Sequence, residues 1–173
     1  MNKSTNTQHN SSLGWFNLAR LVSQGEKEKA LGLYRLLSYS FEDKAFALQV
    51  EADLLKFFDD RSAVDKYIQA AFLYKKESKL VSAASIYEHV LSIDPNNFEY
   101  HAALLELYAI LDWQERLLNR TSIMLDHFDK KHISKDKVSK IIDLVVEQFV
   151  LANNTKGLND FKGLIASRNP SIL

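Results

Sequence analysis

Reactive side chains are plentiful in this sequence, but they are not spaced for catalysis. The five histidines, His9, His89, His101, His127 and His132, never occur as H-x3-H or Glu-x-x-His. Those are the spacings that turn two ligands onto one helix face for a metal ion. The densest set is His127, Asp129, His132 and Asp136, which reads as an exposed turn. Gly14, Gly25, Gly32, Gly157 and Gly163 are scattered, and none precedes a Lys-Ser or Lys-Thr pair, so no phosphate loop is expected. Serine is frequent without a G-x-S-x-G elbow. Carboxylate neighbours such as Asp59 and Asp60, or Glu51 and Asp53, are ordinary on helix surfaces. Cysteine is absent, which removes thiolate metal sites, disulfides and cysteine nucleophiles. The expectation is a protein that is not an enzyme, with no catalytic residues, no metal and no cofactor.

The elements that would position any site are helices. Two prolines and five glycines leave long stretches uninterrupted, and apolar residues recur at intervals of three and four. Alternating runs of Val, Ile and Thr between turn dipeptides are missing. The periodicity predicts nine helices, at about 12–24, 26–40, 43–58, 61–76, 79–93, 96–111, 113–128, 134–152 and 154–168. Short links make sequential helices antiparallel neighbours. Asp59 to Ser62, Asp94 to Asn97, and Asn153 with Asn154 supply capping or breaking residues at three of these joints.

At 173 residues the chain predicts one helical domain over 12–168, with 1–11 a polar, disordered tail lacking the apolar stretch of a secretory signal. Apolar residues make up 46% and the net charge is zero, which removes the usual electrostatic attraction to nucleic acid. The most apolar run, Ile141 to Ala152, is too short and too charged to span a membrane. A soluble, cytoplasmic protein is expected. Asp129 to Lys140, with five lysines, reads as a solvated turn and helix start, or as a minor electrostatic contact site.

Tyr67, Ala70, Ala71, Tyr74, Ala83, Tyr87 and Pro95 fall at the seven positions of the pattern W-x2-L-G-x2-Y, A-x3-F, P. The stretch resembles a tetratricopeptide repeat. Trp15-x2-Leu18-Ala19-x2-Val22 with Ala30-x3-Tyr34 is a second copy. Leu48-x2-Glu51-Ala52-x2-Leu55 with Ala63-x3-Tyr67-x2-Ala70 follows 33 residues later, and both share a gap one residue shorter than the family's. His101-x2-Leu104-Leu105-x2-Tyr108 with Leu117-x3-Thr121-x2-Met124 is a weaker fourth. Tyr67 and Ala70 are thereby used twice. Either the copy at 48–70 is accidental, or the helix at 61–76 changes role and the array has a joint there. The pair at 134–168 departs from the motif and reads as a capping hairpin.

The resemblance implies an all-α fold of antiparallel hairpins stacked as a right-handed superhelix, an α-α solenoid whose concave groove takes a partner segment. Laying the motif on the sequence puts Asp65, Ile68, Phe72 and Lys75 on that face, then Glu99, Ala102 and Glu106, and, through the Leu48 copy, Gln49 and Asp53. The clamp of lysine, asparagine and arginine with which chaperone cofactors of the family hold a terminal carboxylate is absent from these positions. The implied function is a non-catalytic adaptor, scaffold or chaperone-like module. Its partner would be a protein or peptide, an apolar or partly basic helical segment. Ala63 to Val90 also resembles the helical adaptors of membrane-fusion machinery. The alternatives are a structural protein pairing with itself as a homodimer, and an enzyme with an unrecognised site.

Overall fold

A computed structural model describes the backbone of residues 4–131 and 134–169, and the side chains of 13–126 and 134–169. Among these residues there are nine helices and no strand: α1 Ser4–Ser23, α2 Lys27–Ser38, α3 Lys44–Phe57, α4 Ala63–Lys76, α5 Leu80–Ile93, α6 Phe98–Ile110, α7 Gln114–Lys131, α8 Lys135–Leu151 and α9 Thr155–Arg168. The fold is all-α, and the helices follow the predicted segments closely. The main difference lies at the start, where α1 begins at Ser4, inside the stretch expected to be a tail. Polar residues extend a helix cheaply once an amphipathic segment such as Leu13–Val22 has nucleated it.

Caps set several of the remaining boundaries. The Asp43 carboxylate accepts from the Phe46 N–H at 2.9 Å, Asn97 accepts from Glu99 and Tyr100, and Asn154 accepts from Gly157 at 2.8 Å. These side chains satisfy N–H groups that have no partner inside the helix.

The turns repeat one device. After α1, Gly25 takes φ 74°, its N–H donates to the Val22 carbonyl, and Glu26 donates to Leu21. Asp59 and Asp60, Asp112 and Trp113, and Asn153 and Asn154 make the same pair of bonds after α3, α6 and α8. This is a Schellman turn, which closes a helix through one left-handed residue. Gly25 and Asp59 are 34 residues apart, and Ser78, also left-handed, is 34 residues before Asp112. Two registers of the same period therefore meet at α4, the helix that the motif matches twice.

The chain divides into two units between Glu77 and Ser78. The best motif match, Tyr67 to Pro95, straddles this division. In unit 1, α1 packs on α2, α2 on α3 and α3 on α4. Trp15 meets Tyr34 edge-on with centroids 6.4 Å apart and stacks on Phe41 at 5.7 Å, around buried Leu18 and Ala30. Among the described residues, α3 and α4 make the most extensive helix pairing. Its physical basis is small buried residues on both helices, Ala45 and Ala52 of α3 and Ala63, Ala70 and Ala71 of α4, with Ala52 level with Ala70 in the register that the Tyr67–Asp53 and Tyr74–Gln49 bonds set. Side chains of that size let backbones approach closely. The Leu48 copy thus marks a real hairpin.

In unit 2, α6 packs on α5, α7 and α8, while α9 packs on α7 and α8. Leu104, Leu105, Leu107 and Tyr108 bury nearly every side of α6. The fourth copy is interior throughout: His101, Leu104, Leu105, Tyr108, Leu117, Thr121 and Met124 are buried. At the last hairpin, a Cβ on Gly157 would stand 2.6 Å from the Phe149 ring, so the α8/α9 approach requires glycine.

Candidate docking surface

Two helices of unit 1, α3 and α4, build the surface where most of the predicted residues lie. On α4, Ala63, Tyr67, Ala70, Ala71 and Tyr74 turn inward. The residues between them, Asp65, Ile68, Phe72 and Lys75, recur at intervals of three and four, so they share one face. Asp65 is exposed, Ile68 and Lys75 are half-buried, and Phe72 is 65% exposed. Ile68 and Phe72, with Leu48, Gln69 and Leu73, line a cleft of about 430 Å3 whose walls are almost wholly apolar.

Gln49 and Asp53 have a different occupation. The Tyr74 hydroxyl donates to Gln49 Oε1 at 3.0 Å, and the Tyr67 hydroxyl donates to Asp53 Oδ1 at 2.5 Å. These two rungs fix the register of α3 against α4 at the edge of the alanine seam. Burial, then the Asp53 carboxylate, raise the Tyr67 pKa well above the usual phenol range. Tyr34, whose hydroxyl donates to the Ala47 carbonyl, is pushed up to about 12, mainly by burial. Lys27 reaches Asp60 at 2.6 Å across unit 1, and this hydrogen bond, with those from Ser62, holds the Asp60 carboxyl below its ordinary range.

Glu99, Ala102 and Glu106 lie on α6 in unit 2. Glu99 is exposed, while Ala102 and Glu106 are half-buried. Glu99 and Ala102 line a cleft of about 640 Å3 that also holds Lys137, Lys140 and Ile141 of α8. The lysine-rich segment read as a solvated turn thus places two exposed cations beside the predicted acid. Sequence spacing could not reveal this, because it says nothing about which later helix covers α6. The cleft is therefore of mixed charge.

Elsewhere in unit 2, Glu88 accepts from the Tyr108 hydroxyl and from Arg116 Nη1 at 3.0 Å, and the Arg116 guanidinium lies 4.7 Å from the Trp113 ring centroid. Burial, then the Glu88 bond, raise the Tyr108 pKa to about 12. These contacts tie α5, α6 and α7 together. His101 Nε2 lies 3.0 Å from the Pro95 carbonyl and serves the same structural purpose.

Among the described residues no group of three or more His, Asp or Glu side chains is arranged to hold a metal ion. Of the set His127, Asp129, His132 and Asp136, the first three lie outside the residues whose side chains are described, and Asp136 is exposed. No described helix is long and apolar enough to cross a membrane.

No protein-family model and no curated protein matches the sequence. Among solved structures, the chain is similar to "MamA RS-1 ArsTM double mutant", at 15% identity over 93% of this chain and 95% of that one, with a TM-score of 0.37. It is also similar to "MamA 41-end from Desulfovibrio magneticus RS-1", at 14% identity over 92% and 97%, with a TM-score of 0.35.

Proposed function

We propose that the protein is a non-catalytic interaction module of tetratricopeptide type, an adaptor that docks an amphipathic helical segment of a partner protein on unit 1. The observation that carries this reading is Phe72. A large aromatic ring stands mostly in solvent at the rim of an apolar cleft, on the same helix face as Asp65, Ile68 and Lys75. Exposing such a ring opposes stability, and large rings beside a pocket serve as binding anchors. Gln49 and Asp53 support the site from behind by fixing α3 on α4. Glu99, Ala102 and Glu106 form a separate contact patch on unit 2.

Capture of partners from the source cell tests the proposal. Phe72→Ala should weaken the principal partner at least about tenfold, the effect of losing one buried anchor. Glu106→Lys should weaken it less. An unchanged set of partners with both variants would refute the assignment.

A further inference from the structure

Building on that docking surface, we infer that its groove is polarised and selects a helical segment with an acidic residue about one turn from its apolar anchor. A second cleft, of about 460 Å3, lies in unit 1 between α2 and α3, lined by Arg35, Tyr39, Lys44 and Glu51 among others. Leu48 lines both this cleft and the apolar one, so the two lie on either side of one side chain and a single ligand helix would reach both. Tyr39 is 86% exposed, and Arg35 and Lys44 are exposed. The Glu51 carboxylate is already matched by Lys66 at 2.9 Å, with Arg35 at 4.0 Å. Two cations therefore leave this end positive.

The rungs Tyr74 to Gln49 and Tyr67 to Asp53 make α3 and α4 antiparallel. Along the groove the order is then Lys44, Leu48 beside Leu73, Phe72, Ile68 and finally Asp65: a cationic end, an apolar middle and an anionic end. Lys44 precedes Leu48 by four residues, about 6 Å of helix rise. A ligand helix with its acid at the Arg35 and Lys44 end and a base near Asp65 meets opposite charges throughout. The reversed helix meets like charges, which is how charge sets docking direction.

A displayed library of 16-residue amphipathic helices, with a constant apolar stripe and flanking positions drawn from Glu, Lys and Gln, tests this when sorted against the full chain. The wild type should enrich peptides with Glu at one end and Lys at the other at least about fivefold over the reverse order. The double variant Arg35→Glu/Lys44→Glu should select Lys at both ends, and Arg35→Gln/Lys44→Gln should lose the preference at that end. Both pairs are exposed, and circular dichroism checks that the helices persist. Enrichment without charge order, or order unchanged in the double variants, overturns the polarity and leaves the docking surface standing. Enrichment that survives Phe72→Asp, or no enrichment by the wild type, overturns both.

Discussion

The α3/α4 hairpin of unit 1 and the α6 bundle of unit 2 solve the same packing problem in opposite ways. The hairpin brings two helices close over buried alanines and sets their register with tyrosine hydroxyls at the seam's edge. The other surrounds one helix with leucines that three neighbours cover. Close approach over small residues leaves the outer face of α4 uncovered, whereas α6 has little surface left. The proposed docking surface falls where the seam is made of alanine.

Opposite substitutions should separate the two solutions. Leu104→Ala would open a cavity among helices that cannot collapse, costing about 2–5 kcal/mol. Ala70→Leu would force extra volume into a seam that has none, costing about 1–3 kcal/mol. Urea denaturation measures both, and a neutral Ala70→Leu would break the claim of close approach.

Alkali should act on both units next. Tyr34 and Tyr67 of unit 1 and Tyr108 of unit 2 have folded pKa values raised above the unfolded phenol value near 10. Above that value the unfolded chain loses protons that the native state keeps, so the stability these groups contribute is complete below about pH 10. It is lost as pH rises toward about 12 and beyond. Tyr87 of unit 2 is raised in the same direction, mainly by burial, so each unit holds two such tyrosines and amide exchange should rise in both. Tyr67→Phe should cost about 1 kcal/mol at neutral pH and blunt that response.

Turn substitutions should be milder. Asp59→Gly and Asp112→Gly relieve a left-handed conformation in each unit and should each add up to about 1 kcal/mol, read as a rise in Tm. The smallest effect belongs to the half-buried Lys27–Asp60 ion pair of unit 1. Asp60→Asn should lower Tm slightly, and the difference should vanish in high salt. Because the Asp60 pKa is depressed in the folded state, the pair's contribution is present at neutral pH and is lost as pH falls below the usual carboxylate range.

Helix positions were legible because a three-to-four apolar period and the scarcity of proline leave no other regular structure. The matched motif positions were legible for the same reason, since a small or aromatic residue at a fixed interval points to a buried contact. Gln49 and Asp53 were legible as residues of one α3 face, but not as partners of Tyr74 and Tyr67. Motif alignment marks a helix face but not the tyrosine hydroxyl that arrives from the next helix. Arg35 and Lys44 come from two helices outside the motif's inner positions, and no interval along the chain relates them to Phe72.

By itself the sequence determined nine helices, their caps, their repeating hairpin period and the interior character of the motif positions, all consequences of local periodicity and backbone chemistry. Only the tertiary structure decided that the Tyr67 and Tyr74 hydroxyls bond to α3, that two turn registers meet at α4, and that Leu48 lines one cleft with Arg35 and Lys44 and another with Phe72. Those depend on which side chains are small enough for two backbones to approach, and on which groups distant helices then bring together. Spacing along a chain does not encode either.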